Sequence, residues 1–324
     1  MSYSGAKIDF LSVGDADAIF VRQYEGATMT TYLIDGGNKS DADLILKYLS
    51  DLNISQIDHL ISTHSHADHI DGLVGVVEDK RIKIKQAWLN SLSEVRAAAM
   101  SYSRARSLVY LSSEIDRSAK SEKSLVDALS ARGIPISDAF QGRMIGSLEV
   151  MSPTRAFFDE MKREMLSDGL LRSQNDEAMG RAFAKYGHFG SSRASDGGGL
   201  GETDDTPENQ VSLVLLYTLE PGTRCLLTSD AGIKALNGVL KRDAGVERLK
   251  NVGLLQAPHH GSRRNLTHDL IKYFSPKLAV ASAIGSDKHP SKKVMDAFAA
   301  VGAKFYSTHC RKTPTGFNVG NVPQ

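Results

Sequence analysis

Short runs of alternating or wholly apolar residues open the chain. They predict strands at Lys7–Val13, Ala18–Gln23 and Thr30–Ile34, the last closed by Asp35-Gly36-Gly37. Apolar residues at 44, 45, 46, 49 and 52 suit a helix over Asp41–Leu52 capped by Ser40 or Asp41. A strand over Ile57–Thr63, a helix over His69–Glu78 and a strand around Ala87-Trp88-Leu89 complete the first ninety residues.

The pattern then changes. Val95, Ala98, Ala99, Leu108, Leu111 and Ile115 recur at helical spacing, which predicts a helical insertion over about 91–135. Such an insertion either packs over the core or shapes a substrate entrance or dimer contact. Short strands follow around Gly142 and Gly146. From about 155 to 208 the chain is polar, with a Gly/Ser/Asp-rich patch at 187–206, and reads as a flexible loop able to act as a lid. Strands at 211–219, 224–228, 252–257, 278–283 and 304–307 then alternate with helices at 231–241, 267–274 and 291–301. The run 211–219 is almost continuously apolar, as in a strand buried on both faces. This order suits one α/β (α+β) domain over residues 1–324 made of two mixed halves, although no sequence repeat is visible.

Composition narrows the class without naming the chemistry. Apolar content of 41% and charged content of 24% in 324 residues are those of a globular chain with a sizeable core. The formal net charge of +1 supplies no global field for nucleic acid or membrane. Cys225 and Cys310 lie far apart and outside any CxxC, which fits a reduced compartment. With no signal-peptide pattern at the start and no apolar run near the ~18 residues of a membrane span, a cytoplasmic location is expected.

Residues 63–72 read Thr-His-Ser-His-Ala-Asp-His-Ile-Asp-Gly, directly after a predicted strand. Three of the chain's ten histidines fall in one six-residue window here, too dense for a surface loop of average composition. A strand running into a short loop makes lone pairs converge: His64 and His66 point to one side, and the turn brings Asp68 and His69 inward. Further ligand types recur at strand ends: Asp230 after Cys225-Leu-Leu-Thr-Ser, His259 and His260 after Gly253-Leu-Leu-Gln-Ala-Pro, and His289 after the 278–283 strand and a loop. Imidazole and carboxylate without thiolate suit zinc, manganese or iron. Six or more ligands exceed one tetrahedral site, so two divalent metal ions are expected, zinc or manganese, with Asp230 bridging them and an ionised water between them as nucleophile. His59 is read as structural.

In these residues the chain resembles the metallo-β-lactamase-fold hydrolases, and within them the hydrolase domain of bacterial competence DNA-uptake channel proteins and their freestanding relatives. The likeness is carried by Phe10-Leu-Ser-Val-Gly-Asp-Ala-Asp-Ala-Ile, Leu33-Ile-Asp-Gly-Gly, Thr63-His-Ser-His-Ala-Asp-His, Asn209-Gln-Val-Ser-Leu-Val-Leu, Leu226-Leu-Thr-Ser-Asp-Ala, Ala257-Pro-His-His-Gly-Ser and Lys288-His-Pro, in that order. It implies an αββα sandwich of two mixed sheets flanked by helices. It assigns His64 and His66 to one metal and Asp68, His69 and His259 to the other, with Asp230 shared and His260 the less favoured of its pair. Asp17 and Asp35 would orient ligands from behind. Ser262, Arg263, His289 and Thr308 lie in segments resembling those that contact phosphate in this subgroup, and His289 would bind a phosphoryl oxygen or protonate the leaving group.

The likeness has gaps. The fold usually gives the first metal a third histidine, but only His188 lies in the relevant interval, and the matching place holds Asn209, read here as a substrate contact. Asp71 and Ser229 stand where glycine is usual. Residues 259–312 hold ten Lys/Arg against three Asp, which points to an anionic, phosphate-containing substrate, including nucleic acid. The leading expectation is therefore a dinuclear metal-dependent hydrolase of phosphoester bonds, with Asp68 and His289 as catalytic residues. Two alternatives are carried: hydrolysis of a carbonyl substrate (lactone, thioester or β-lactam), and an effector in a multi-protein DNA-handling or defence system that acts with a protein partner or as a homodimer.

Overall fold

The computed structural model describes residues 3–92, 113–165, 199–201, 205–219, 222–286, 288–308 and 314–323. Two seven-stranded sheets form the centre. The first comprises β1 (Tyr3–Phe10), β2 (Ile19–Gly26), β3 (Thr28–Ile34), β4 (Gln56–Ile61), β5 (Lys83–Trp88) and β6 (Ile136–Ser137), edged by β14 (Thr315–Asn321) along β1. The second runs in chain order from β7 (Met144–Ile145) through β8 (Leu148–Ser152), β9 (Val214–Leu219), β10 (Thr223–Leu227), β11 (Leu254–Gln256) and β12 (Leu278–Ala281) to β13 (Lys304–Ser307).

Alternation along the strands makes the layers. Ile8, Phe10, Val21 and Ile34 of the first sheet pack against Val150, Leu215, Tyr217 and Leu227 of the second. The opposite face of the first sheet, with Phe20, Leu33 and Leu60, is covered by α1 (Ala42–Asp51), α2 (Ala67–Glu78) and α3 (Ser113–Ala131). That of the second, with Leu216, Leu226 and Leu255, is covered by α5 (Ile233–Asp243), α6 (His268–Phe274) and α7 (Lys292–Ala300). The result is the expected αββα arrangement of two mixed sheets flanked by helices.

The two sheets repeat one pairing scheme. Pairing is antiparallel from β14 through β1 and β2 to β3, then parallel from β3 through β4 and β5 to β6. It is likewise antiparallel from β7 to β10 and parallel from β10 to β13. The two halves expected from element order are thus visible as topology. The switch to parallel pairing falls at β3/β4 in one sheet and β10/β11 in the other. The loops leaving these four strands carry Asp35, the histidine motif, Asp230 and the His259-His260 pair.

Two elements differ from the sequence reading. β14 was not expected, because Thr315-Gly-Phe-Asn-Val-Gly-Asn carries two glycines and little β propensity; it is a strand because it pairs with β1 from Ser4 to Phe10. The polar loop expected from about 155 begins instead as a helix, α4, over residues 155–165. Its Phe158, Met161 and Met165 form a small buried cluster with Leu92 and Val211, each such burial contributing about 1.5–3 kcal/mol. Of the helical insertion, α3 is observed. Within these segments residues 93–112, 166–198 and 202–204, His188 among them, lie outside the described residues, as does Cys310. Among the described residues no helix is long and apolar enough to cross a membrane.

Candidate metal centre

β4 ends at Ile61, and the chain then turns through Thr63-His64-Ser65 into α2, with His66 in extended conformation as its N-cap. Two glycines let α2 dock closely on the turn after β3. A Cβ on Gly72 would meet the Gly36 carbonyl oxygen at 1.8 Å, and a Cβ on Gly36 would meet the Leu73 nitrogen at 2.4 Å. The Gly36 N–H donates to the His69 carbonyl at 2.8 Å, and the Gly72 N–H to that of Gly37 at 3.1 Å. This docking brings His69 against Asp35, the residue that leaves β3 with φ of 57°. The rings of His64, His66 and His69 gather as a result, with His64 centred 4.7 Å from His66 and 4.2 Å from His69.

The second half supplies the opposite wall. Asp230, 1% exposed, follows β10. Its Oδ1 lies 3.5 Å from His69 Nε2, while its Oδ2 lies 3.9 Å from His64 Nε2, 3.8 Å from His259 Nε2 and 4.0 Å from His260 Nε2. Two groups of ligand atoms, each within 4.8 Å of one another, result: His64/His66/Asp230 and Asp68/His69/His260. Asp230 also groups with His259 and His260.

Both tandem histidines group with Asp230, and His260 also groups with Asp68 and His69, its Nε2 lying 3.6 Å from Asp68 Oδ2. The sequence reading favoured His259 because it lies nearer the strand end. Both residues, however, adopt left-handed backbone, with φ of 49° and 56°, so the chain coils and turns both rings toward Asp230.

Hydrogen bonds behind the rings fix which nitrogen meets the site. Asp35 accepts from the Thr63 N–H at 2.8 Å, from the Thr63 hydroxyl at 2.6 Å and from His69 Nδ1 at 2.8 Å. With its proton on Asp35, Thr63 Oγ1 is left to accept from His64 Nδ1 at 3.2 Å. His69 and His64 therefore both present Nε2 to the centre. Asp17 is one step further back: its Oδ2 accepts from Gln256 Nε2 at 2.9 Å, and Gln256 Oε1 accepts the N–H groups of Thr228 and Ser229, each at 3.0 Å, which holds the turn carrying Asp230.

Asp205 is a site residue the sequence reading missed. Its Oδ2 accepts from His259 Nδ1 at 2.7 Å, from Asn209 Nδ2 at 2.9 Å and from Asn265 Nδ2 at 2.5 Å. Nothing marked it in sequence, since it sits at the end of a polar stretch. Gln256 and Asn265 were legible only as polar residues inside or beside apolar runs.

Two residues expected to contact substrate, Asn209 and Thr308, are buried. Asn209 is 2% exposed and donates from Nδ2 to Asp205, while its Oδ1 has no hydrogen-bond partner. Thr308 is 1% exposed, and its hydroxyl accepts from the Ala283 N–H at 3.0 Å and donates to the Ala283 carbonyl at 3.3 Å, tying β12 to β13. Ser262 Oγ accepts from the Arg264 N–H at 3.2 Å, and Arg263 donates to the Gly199 carbonyl at 3.4 Å. His289 does lie beside the centre, its ring 5.5 Å from that of His259 and 5.7 Å from that of His260. His59 stacks on Tyr32 and accepts from Trp88 Nε1 at 3.2 Å, the structural role expected of it.

The electrostatics are those of a cation trap. Burial opposes charge on His69, yet Asp230, Asp35 and Asp68 together raise its pKa well above the ordinary histidine value. Burial likewise opposes charge on His259, but Asp230 and Asp205 push it up to about 9. Asp68 and Asp230, despite burial, are held well below the usual carboxylate range by the neighbouring histidines. Burial, reinforced by His69 and His66, drives His64 well below the ordinary value. Meanwhile the Nε2 atoms of His64, His66, His69 and His260 are buried without a hydrogen-bond partner, which is costly for polar atoms unless another ligand meets them. This donor set, imidazole and carboxylate around a shared Asp230, fits divalent metal ions.

Residues 12–110 match the profile of the metallo-beta-lactamase superfamily. No curated protein sequence matches the chain. Among solved structures, a diphosphatase of the PhnP family is 13% identical over 98% of this chain and 100% of its own, with a TM-score of 0.45. A metallo-beta-lactamase from Cronobacter sakazakii with a mutated HARLDQ motif is 13% identical over 75% of this chain and 74% of its own, with a TM-score of 0.33. The hydrolase AbOPH of the beta lactamase superfamily is 12% identical over 75% of this chain and 85% of its own, with a TM-score of 0.37. None of these scores transfers a substrate, and the likeness to competence proteins rests on the sequence motifs alone. The segment that delivers His64, His66, Asp68 and His69 is a metallo-beta-lactamase superfamily match, set in a pair of mixed, helix-flanked sheets consistent with that superfamily's fold.

Proposed function

We propose that this protein is a metal-dependent hydrolase that cleaves a phosphoester bond, in nucleic acid or in a nucleotide-like molecule. The observation that carries the reading is the convergence of unpartnered, buried Nε2 atoms from His64, His66, His69 and His260 around Asp230. Two divalent ions, zinc or manganese, bound by these residues would supply Lewis acidity and an ionised water at neutral pH. The chain's own part is positioning. Asp230 turns one carboxylate oxygen toward His69 and the other toward His64, so it serves both groups. Asp35, Thr63 and Asp205 hold the rings in one orientation, so little reorganisation accompanies the reaction.

Asp68 is the more open of the two site carboxylates, at 35% side-chain exposure against 1% for Asp230, and so faces the side from which substrate arrives. Burial, together with His259 and His260, lowers the His289 pKa to about 4. His289 is then neutral at pH 7 and suits donation of a ring N–H to a phosphoryl oxygen better than proton release to a leaving group. The substrate class rests on the excess of lysine and arginine in residues 259–312, which favours an anion at this side of the molecule.

The test is a paired assay on protein loaded with manganese or zinc, using a generic phosphodiester and a generic carboxylic ester. Phosphodiester turnover that disappears in Asp68→Ala and His66→Ala is the expected result. Turnover unchanged in both variants would overturn the site, and ester turnover far above phosphodiester turnover would overturn the substrate class.

A further inference from the structure

Glu122 is a buried carboxylate outside the metal-centre residues, 5% exposed, on α3 of the helical insertion. Its Oε2 accepts from the Ser65 hydroxyl at 3.1 Å and from the Leu92 N–H at 2.9 Å; its Oε1 accepts from the Ser91 hydroxyl at 2.5 Å. These donors come from two separate places: the turn after β4 and the exit from β5. Ser65, itself 3% exposed, stands between His64 and His66.

A buried carboxylate is expensive unless donors surround it, and here the donors come from both segments that it ties together. A residue serving only to fasten α3 to the core needs none of this. Leu125 and Leu129, both 0% exposed, already pack α3 into the apolar layer shared with α1 and α2. What Glu122 adds is a polar clamp on the one side chain flanked by two metal-site histidines. Ser65 lies between His64 and His66 in the chain, so a clamp on its side chain restrains the backbone that carries both rings. Asp35 and Thr63 hold His69 and His64, and among the described residues no hydrogen bond to the His66 side chain is seen.

We propose that Glu122 is a positioning residue of the metal centre, acting through Ser65 to set the geometry of the His64/His66 pair, so that the helical insertion is a structural part of the site. This rests on the metal reading given above. The experiment compares wild-type protein with Glu122→Gln, Ser65→Ala and Ser91→Ala. Glu122→Gln keeps the shape but turns one acceptor into a donor facing donors; Ser65→Ala cuts the link to the metal turn; Ser91→Ala cuts the link on the far side. The readouts are cobalt(II) affinity by chelator competition, the cobalt absorption spectrum, and thermal unfolding of the metal-free protein.

The expected result is a roughly tenfold weaker cobalt affinity and an altered spectrum in Glu122→Gln and Ser65→Ala, the range found when residues behind metal ligands are changed. Ser91→Ala should bind cobalt as wild type does, and metal-free Ser65→Ala and Ser91→Ala should both unfold a few degrees below wild type, since each removes one donor from the buried carboxylate. Wild-type affinity and spectrum in Ser65→Ala would overturn the proposal, as would an equal loss in Ser91→Ala, which would make the effect one of general packing. Wild-type protein that takes up no cobalt would overturn the metal reading itself, a result distinct from either.

Discussion

Asp230 Oδ1 lies 3.5 Å from His69 Nε2, and this distance joins the two halves of the molecule at their chemistry. Asp230 leaves β10 of one sheet, and His69 sits in the first turn of α2, which follows β4 of the other. Each belongs to the switch from antiparallel to parallel pairing in its own sheet. At such a switch neighbouring loops part company, which leaves room for ligands at the strand ends.

Asp230→Asn should therefore damage both halves of the centre together. The substitution keeps volume and removes the charge that faces His64, His69, His259 and His260. Metal content measured by elemental analysis is expected to fall below one ion per chain, with hydrolysis down by about a hundredfold or more, as when one preorganised electrostatic group is lost. Wild-type metal content in this variant would show that Asp230 is no ligand.

The tandem histidines should separate experimentally. His260 groups with Asp68 and His69, whereas His259 is held by Asp205 and groups with Asp230 and His260. His260→Ala is expected to lose the Asp68/His69 metal, seen as one fewer equivalent in a zinc titration. His259→Ala should keep that equivalent, and Asp205→Asn should mimic His259→Ala more weakly. The opposite order for the two histidines would support His259, as read from sequence, as the ligand beside Asp68 and His69.

Metal removal should cost stability. The unpartnered Nε2 atoms of four buried or half-buried histidines, set among carboxylates, are stabilised by any cation that binds the folded state alone. One site held at a hundred times its dissociation constant adds about 2.7 kcal/mol. A chelator should lower the unfolding temperature by several degrees, and zinc or manganese should restore it. An unfolding temperature indifferent to both would count against a metal centre here.

Cys225 gives a prediction independent of the site. It is 0% exposed at the centre of the inter-sheet core, and burial pushes its thiol pKa up to about 12. In a Cys310→Ser background it should resist thiol reagents at pH 8 until the protein is unfolded. The folded state favours the protonated thiol, so this contribution to stability is complete below the unfolded thiol pKa of about 8.5 and is lost as pH rises toward 12. Denaturation curves for wild type and Cys225→Ala should converge over that alkaline range; curves that stay parallel would show the thiol is not buried as described.

Much of the architecture was legible because its signals are local. The alternation in Ile8, Phe10, Val21 and Ile34 marks one face of a sheet whatever lies opposite. The spacing in Asp41–Leu52 marks a helix, and the density of ligands in His64-Ser-His-Ala-Asp-His marks a metal site, because period and composition need no knowledge of the rest of the chain. β14 escaped because its glycines carry no strand signal, and only the free edge of β1 makes it a strand. α4 escaped because Phe157, Phe158, Met161 and Met165 form only a short apolar stripe in a polar stretch, and what they pack against, Leu92 and Val211, is distant in sequence.

The sequence by itself determined which residue types could hold a metal and which strands would carry them, since these follow from side-chain chemistry and from hydrophobic period. Tertiary structure alone decided how they are shared out. His260 groups with Asp68 and His69 because two consecutive left-handed residues coil the chain after β11. Asp205 holds His259, Gln256 holds the Asp230 turn, and Thr308 is spent on Ala283, because a hydrogen bond is decided by positions in space to within fractions of an ångström. Residue order sets such positions only through the packing of the two sheets.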